Sequence, residues 1–188
     1  DELNTLDGGT TAVVTVTDVT AIAGSYSDIF TAYNSAGISG LGNEALTTSD
    51  NSITVTQANT LDDLTSGVVT ATISANDIAT LDTLAGTGNA YTISVTDATV
   101  SAEKLNTLDD KTTTAVSVSS TTVTGGVSAI NTAYNSSGIS GLGNEAITVD
   151  SGTASVFEAN TLDALTSGVV TATITNNDIA TLDTLTGV

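Results

Sequence analysis

The sequence lacks cysteine, histidine, arginine, methionine, tryptophan and proline, and its only basic residues are Lys104 and Lys111. Zinc sites, thiol nucleophiles and Ser-His-Asp triads depend on cysteine or histidine, so they cannot be assembled from the residue types that remain. Against 21 acidic residues, the two lysines leave a formal net charge of −19. This charge argues against nucleic-acid binding, which needs clustered Lys and Arg side chains that neutralise phosphates. Anionic membrane surfaces are disfavoured for the same reason.

Long apolar runs and bulky side chains are also scarce. The longest apolar runs have two or three residues, whereas a helix that spans a bilayer needs about 20. Apolar residues make up 39% of the chain, but only two are Phe and four are Tyr. This composition suits a narrow core rather than a bulky globular one. Because there is no initiator Met, we expect the sequence to be part of a longer protein.

An internal repeat dominates what is present. Ser66–Gly86 recurs 101 residues later at Ser167–Gly187, and 18 of the 21 positions are identical. At the same offset, Thr31–Leu46 recurs as Thr132–Ile147. The chain is therefore nearly two copies of one unit, which is the signature of a repeat architecture.

The copies also define the predicted domain organisation. The pentapeptide LNTLD begins at Leu3 and again at Leu105. We predict one elongated domain over residues 1–188, made of two super-repeats of about 101 residues. Their bounds are about 3–104 and 105–188, and the second copy is incomplete.

Each copy divides further into units of 23 to 27 residues, marked by polar residues that can cap a helix. The candidate N-caps are Ser27, Thr54, Asp77, Ser101, Ser128, Ser155 and Asp178. Thr54 and Ser155 are followed three residues later by Gln or Glu, which is the capping-box pattern. Gly67 and Gly168 follow predicted helices, so we expect them to end those helices in the left-handed conformation.

Segments that alternate apolar residues with Thr precede most of these caps. Val69, Ala71 and Ile73, for example, alternate with Thr70 and Thr72. A period of two with Thr outward predicts a half-buried strand. Since a helix follows each strand, neighbouring strands should be parallel. The predicted fold class is an elongated α/β repeat solenoid with one parallel sheet, and with one strand and one short helix in each turn of 23–27 residues.

The tripeptide TLD occurs six times and places an aspartate at a similar point of each predicted helix. Stacked turns would align these carboxylates in a column of like charge, which a cation such as calcium can relieve. The candidate metal ligands are Asp62, Asp63, Asp82, Asp109, Asp110, Asp163 and Asp183. The alternative is that they are solvated residues on helix surfaces. No cofactor other than calcium is expected.

Thr is the other abundant polar residue, with 39 copies in the 188 residues. Regular TxT pairs, such as Thr70 and Thr72, would form a hydroxyl ladder similar to that of ice-binding solenoids. The simpler alternative is that Thr is favoured on exposed strands and pairs well across them.

No enzymatic activity is expected. Parallel β-helices do host polysaccharide lyases, and paired carboxylates can hydrolyse glycosides. Such lyases use Arg or Lys to stabilise the developing anion, but this chain has no Arg and both lysines lie in one short segment.

The segments LNTLD, TAYNSSGISGLGNEA and SGVVTATI, separated by Thr- and Asp-rich spacers, resemble the tandem-repeat regions of very large secreted or cell-surface proteins of bacteria, marine cyanobacteria especially. The resemblance covers essentially the whole chain and implies an extracellular or cell-surface location. The expected function is a structural one, as a stiff acidic spacer or an adhesin stalk, and the alternative is a module that binds calcium or ice. Expected partners are neighbouring repeats of the same chain and, through exposed sheet ends, further copies. Neither nucleic-acid binding nor membrane insertion is expected.

Overall fold

The computed structural model of the chain describes residues 1–187, which form eight helices and thirteen short strands. The helices are α1 (Glu2–Gly8), α2 (Tyr26–Asn34), α3 (Val55–Leu64), α4 (Ile78–Leu81), α5 (Ala102–Asp109), α6 (Val127–Asn135), α7 (Val156–Asp163) and α8 (Ile179–Leu182). The strands are β1 (Val14–Thr15), β2 (Ala21–Gly24), β3 (Ile38–Ser39), β4 (Ala45–Thr48), β5 (Val69–Thr72), β6 (Ala90–Thr92), β7 (Ser94–Val95), β8 (Thr99–Ser101), β9 (Val116–Val118), β10 (Thr122–Gly125), β11 (Ile139–Ser140), β12 (Ala146–Val149) and β13 (Val170–Thr171).

The strands of the described residues pair in four separate sheets, and every pairing is parallel. The strand orders are β1-β3, β2-β4-β5-β6, β7-β9-β11 and β8-β10-β12-β13. Paired residues lie 20 to 24 positions apart in the chain, as in Ile22 with Leu46 and Thr70 with Ala90. Each strand therefore pairs with a strand of the neighbouring repeat unit.

Two compact units divide the chain, and each contains two of the four sheets. The first unit comprises Asp1–Ala75, Thr83–Ile93 and Lys111–Thr114, and the second comprises Asn76–Asp82, Ser94–Asp110 and the residues from Ala115 onward. The first unit holds β1-β3 and β2-β4-β5-β6, and the second holds the other two sheets. The predicted division into super-repeats at residue 104 stays a prediction from the sequence.

The predicted solenoid, with one long sheet and one strand in each turn, is wrong. The chain before a long helix forms two short strands instead of one, since β1 and β2 both precede α2, and β9 and β10 both precede α6. The two strands of such a pair belong to different sheets. The segments between them, residues 16–20 and 119–121, take no regular structure. The outcome is an α/β fold with four small parallel sheets.

Most predicted helix starts agree with the structure. The confirmed N-caps are Thr54, Asp77, Ser101, Ser155 and Asp178. Both predicted capping boxes are present. Ser27 and Ser128 are wrong, because α2 and α6 start after Ser25 and Gly126. The Ser25 hydroxyl accepts a backbone N–H of the first turn at 3.1 Å, and the Gly126 N–H donates to Oε1 of Glu103 at 2.8 Å.

Gly67 and Gly168 do not adopt the predicted left-handed conformation. Helix α3 is followed instead by Thr65, whose backbone is extended. A Cβ atom on Gly67 would overlap the backbone carbonyl of Glu44, and one on Gly168 would overlap that of Glu145. Close approach of two backbone segments, rather than a turn, therefore requires glycine at these positions.

The core of each unit lies between its sheets and helices. On β5, Val69 and Ala71 are buried, and Thr70 and Thr72 are exposed, as the alternation predicts. Buried side chains are mainly Ile, Leu, Val and Ala, and Tyr91 is the largest that is fully buried. Each fully buried Leu or Ile stabilises the fold by roughly 1.5–3 kcal/mol. Within residues 1–187, no helix has both the length and the apolar character needed to cross a bilayer.

Candidate functional site

Four of the six TLD aspartates share a motif with an asparagine three residues before them. We name these the NTLD pairs, and they are Asn4 with Asp7, Asn59 with Asp62, Asn106 with Asp109, and Asn160 with Asp163. They lie on α1, α3, α5 and α7. Residues three apart on a helix share one face, so both side chains of a pair can reach the same neighbouring segment.

In α1 and α5, the aspartate of the NTLD pair binds a serine of the next repeat unit. The Ser35 hydroxyl donates to Oδ2 of Asp7 at 2.6 Å, and the Ser136 hydroxyl donates to Oδ2 of Asp109 at 2.6 Å. A Cβ atom on the glycine two residues after either serine would overlap the same carboxylate. The Ser-x-Gly sequence thus supplies both the donor and the space that the carboxylate occupies.

In α3 the aspartate binds an asparagine instead. Nδ2 of Asn89 donates to Oδ1 of Asp62 at 2.6 Å, and Oδ1 of Asn89 accepts the Val69 N–H at 2.8 Å. Asn89 is only 2% exposed, so this amide links α3 to the start of β5 in the interior. In α7, Asp163 is half-buried and lies against Gly187, where a Cβ atom would come within 2.9 Å of Oδ1 of Asp163.

The asparagines of the NTLD pairs bind backbone groups one repeat unit further along the chain. Asn4 and Asn106 donate to carbonyls of α2 and α6, at 2.9 and 3.0 Å. Asn59 donates to the Thr83 carbonyl at 2.9 Å and accepts the N–H two residues later at 2.8 Å. Asn160 makes the same two bonds in its own unit. The NTLD pairs therefore hold successive repeat units together.

The other predicted metal ligands lie at the surface. Asp63, Asp82, Asp110 and Asp183 are exposed, and Asp82 and Asp183 follow the short helices α4 and α8. Oδ2 of Asp82 forms an ion pair with Nζ of Lys104 at 3.2 Å. Both side chains are partly exposed, so the pair contributes about 0–1 kcal/mol.

The structure does not bring the predicted metal ligands together. In the part of the chain that the structure describes, no three acidic side chains lie close enough to form a metal-binding group. Asp62 and Asp109 each accept a short hydrogen bond from a neutral side chain. Calcium binding by these aspartates stays an alternative to their being solvated surface residues, and a calcium titration tests it.

Two buried glutamates form a second group of interest. Glu44 and Glu145 are 1% and 2% exposed. Oε2 of Glu44 accepts the Tyr33 hydroxyl at 2.6 Å and the Gly42 N–H at 2.8 Å. Glu145 accepts the Tyr134 hydroxyl at 3.1 Å and the equivalent glycine N–H at 2.8 Å. The same arrangement thus occurs in both copies of the repeat.

These contacts keep a buried carboxylate ionised. Burial alone would raise the pKa of Glu44, but hydrogen bonds from Gly42, Tyr33 and Asn43 together outweigh it and lower this pKa. Burial raises the pKa of Tyr33, and the hydrogen bond to Glu44 and its negative charge raise it further. The phenol therefore stays protonated and donates. The backbone carbonyl of Glu44 also accepts the Thr65 hydroxyl at 2.6 Å, which anchors the segment after α3.

Rows of hydroxyl side chains cross both of the four-stranded sheets, but the exposed part of each row is short. In the first unit, Thr47 pairs with Thr70, and Thr72 pairs with Thr92, all exposed. The row that contains Thr47 and Thr70 ends there, because the next residue paired with Thr70 is Ala90, which has no hydroxyl group. A row in the second unit contains Ser101, Thr124, Thr148 and Thr171. Of these four, only Thr171 is exposed and the other three are half-buried, so the exposed hydroxyl surface of this sheet is small.

Sequence reasoning missed the NTLD asparagines and the buried glutamates. Two signals could have found them: Asn precedes TLD in four of its six occurrences, and Tyr precedes the glutamate by eleven residues in both copies. Comparison with protein-family models, curated proteins and solved structures finds no match for this chain. The geometry therefore carries the functional argument.

Proposed function

We propose that the chain is a structural repeat module of an extracellular bacterial surface protein and serves there as an acidic spacer or stalk. The observation that carries this proposal is the use of the NTLD pairs. Asp62 and Asp109 are candidate metal ligands in the sequence, yet their carboxylates, like that of Asp7, accept hydrogen bonds from the next repeat unit. Their role is to join repeats.

The surface charge fits the same role. Exposed carboxylates and a net charge of −19 keep such a module hydrated and hinder lateral association. The extracellular location rests on the resemblance of the repeats to those of bacterial surface proteins.

Single-molecule force spectroscopy tests the spacer role. The chain, held between two marker domains and pulled from its ends, should unfold at a reproducible force that neither calcium nor glycans change. Full extension of 188 residues corresponds to about 620–680 Å at ~3.3–3.6 Å for each residue. Extension without a force peak would contradict the proposal. Antibodies raised against the chain should label intact source cells, and labelling only after permeabilisation would contradict the surface location.

Ice binding is the second candidate function, because Thr47, Thr70, Thr72 and Thr92 are exposed on paired strands. Thermal hysteresis and ice shaping by the purified chain test it directly. If it is correct, Thr72→Lys should abolish the hysteresis and leave the circular dichroism spectrum unchanged. No hysteresis in the unsubstituted chain would remove this candidate.

A further inference from the structure

Both phenylalanines of the chain are exposed beside a neighbouring helix. Phe30 on α2 is 39% exposed, and Phe157 on α7 is 80% exposed. Helix α2 packs against α3, and helix α7 packs against α6. The second copy has Asn131 on α6 in place of Phe30. The first copy has Thr56 on α3 in place of Phe157. Each copy therefore presents one Phe at this helix pair, but from opposite helices.

The exposure of these positions does not depend on where the sequence begins or ends. Helix α2 contacts both α1 and α3, and helix α6 contacts both α5 and α7, yet Phe30 and Asn131 are exposed. Thr56, well inside the chain, is exposed at the position that Phe157 takes in the second copy. A single exposed apolar side chain needs no explanation, but a Phe that both copies keep at one place calls for one.

The groove between α6 and α7 combines an aromatic ring with a carboxylate. Its volume is about 250 Å³, and its lining includes Val127, Asn131, Phe157 and Glu158. We name it the α6/α7 groove. Oε2 of Glu158 accepts the backbone N–H and the hydroxyl of Ser155, each at 2.8 Å, and these bonds lower the pKa of Glu158. The groove therefore holds an ionised carboxylate next to an exposed ring.

Helix α2 of the first copy carries a similar combination. The rings of Tyr26 and Phe30 stack, with their centroids 5.8 Å apart. Oδ2 of the exposed Asp50 accepts the Tyr26 N–H at 2.6 Å. An aromatic surface and a carboxylate thus lie together at the start of α2, as they do at the start of α7.

The chain supplies no cation to the α6/α7 groove. Neither of its two lysines is among the residues that line the groove. Lys104 forms its ion pair with Asp82 instead, and Lys111 follows α5 in the segment that leads to β9. Since the net charge of the chain is −19, the electrostatic complement of the groove is a positive group of another molecule.

We propose that the α6/α7 groove binds a basic segment of another protein, whose Lys or Arg side chain lies over the Phe157 ring and pairs with the Glu158 carboxylate. A cation within about 6 Å of an aromatic centroid is attracted by the negative face of the ring, and the planar guanidinium of Arg also stacks on it. Tyr26, Phe30 and Asp50 form a second site of the same kind. The inference goes beyond the proposed spacer role, which requires no partner protein.

Charge separates this occupant from the others. Nucleic acids, anionic membranes and a second copy of this chain are all negatively charged, so the acidic surface would repel them. An apolar segment would cover the Glu158 carboxylate without pairing it. A basic segment satisfies both the ring and the carboxylate, and added salt should weaken its binding because it screens opposite charges.

Fluorine NMR tests the proposal, because the chain has only two phenylalanines. Para-fluorophenylalanine at both positions gives one resonance in each site, and Phe30→Leu assigns them. The probes are an acetylated tetra-arginine peptide, a tetra-glutamate peptide of opposite charge, and maltotetraose as a neutral ligand.

Two variants with the same loss of charge are compared. Glu158→Gln removes the carboxylate from the groove and keeps the capping box, since Gln57 fills the equivalent position in the first copy. Asp110→Asn is the matched control, at an exposed position that does not line the groove. Circular dichroism checks that both variants fold.

Tetra-arginine at millimolar concentration should shift the Phe157 resonance along a saturating curve, and tetra-glutamate should not. Glu158→Gln should weaken this binding by about two- to fivefold, the contribution of an exposed charge pair, and leave binding at the Phe30 resonance unchanged. Asp110→Asn should weaken either by less than about twofold.

A Phe157 resonance that tetra-arginine leaves unchanged would overturn the proposal. So would equal effects of the two variants, which would indicate diffuse charge attraction only. A shift caused by maltotetraose but not by tetra-arginine would overturn it too, because the groove would then bind a neutral ligand.

Discussion

Replacing Asp109 with alanine tests how strongly an NTLD pair stabilises the fold. Oδ2 of Asp109 accepts the Ser136 hydroxyl at 2.6 Å, and the aspartate is half-buried at the end of α5. The adjacent Asp110 is exposed, and the structure shows no hydrogen bond from another described side chain to its carboxylate. Asp110→Ala is therefore the matched control, one position away with the same change of charge.

The expected magnitude follows from the contact that is lost. A hydrogen bond to a charged group contributes about 1.5–3 kcal/mol net, and partial exposure of Asp109 moves the value towards the lower end. Alanine is a better helix former than aspartate, which offsets roughly 0.5 kcal/mol. Asp109→Ala should therefore lower the free energy of unfolding by about 1–2 kcal/mol. Asp110→Ala should change it by less than about 0.5 kcal/mol.

Urea unfolding followed by circular dichroism at pH 7 measures both variants, once with calcium and once with chelator. A double-mutant cycle with Ser136→Ala isolates the pairwise term, and its coupling energy should be about 1 kcal/mol or more. Equal destabilisation by Asp109→Ala and Asp110→Ala would refute the reasoning. A calcium-dependent gain in stability that both variants lose would instead identify the two aspartates as metal ligands.

Three further outcomes are expected. Thermal midpoints of the chain in calcium and in chelator should coincide, and a midpoint raised by calcium would show a bound metal that stabilises the fold by mass action. Hydrogen bonds lower the pKa of Glu44 in the folded state below its unfolded value of about 4.3. The ionised Glu44 carboxylate therefore stabilises the fold above about pH 4.3, and this stabilisation is lost as the pH falls through the folded pKa. Urea unfolding at stepped pH should accordingly show a shallower loss of stability below about pH 4.5 for Glu44→Gln than for the unsubstituted chain, and parallel curves would contradict the assigned contacts. Gly67→Ala should destabilise by about 1–3 kcal/mol in thermal or urea unfolding because its Cβ meets the Glu44 carbonyl, whereas Gly8→Ala, which enters open space, should be neutral or stabilising by less than about 1 kcal/mol.

Helix starts were predictable from the sequence where a single polar residue fits the cap. Thr54 and Ser155 each carry the reciprocal box, so the local pattern suffices. Before α2, Ser25 and Ser27 both fit, and the choice depends on tertiary contacts. The N–H of Tyr26 donates to Oδ2 of Asp50 at 2.6 Å, which favours the earlier start. A residue 24 positions away cannot be identified from the capping pattern.

The division into four sheets was harder to predict, although part of the signal was present. Val116, Val118 and Ser120 are buried at even positions, whereas Val123 and Gly125 are buried at odd positions. The alternation therefore changes phase between β9 and β10, as expected when a strand ends and another begins. In the first copy the equivalent residues are less buried, which hides the change.

The role of the aspartates could not be predicted because it depends on distant partners. Asp109 binds a serine 27 residues away, and Asp62 binds an asparagine 27 residues away. Periodicity identifies these carboxylates as equivalent positions, and charge alone then favours a cation. In the structure, neutral donors of the next repeat unit form hydrogen bonds with these carboxylates. The aspartates are therefore equivalent because each of them connects two successive repeat units.

The need to select one strand register explains why a chain of near-identical repeats connects its repeat units through hydrogen bonds of the NTLD pairs. Its strands alternate Thr with small apolar residues, so a slip of two positions would bury much the same surface, and hydrophobic contacts alone would discriminate weakly between registers. A carboxylate that must meet a serine hydroxyl, with a glycine two residues later to leave room, fits one register only. In a slipped register, Asp109 would lose the Ser136 hydroxyl and meet a Cβ atom in place of Gly138. The NTLD pairs thus add specificity where the apolar core supplies mainly stability.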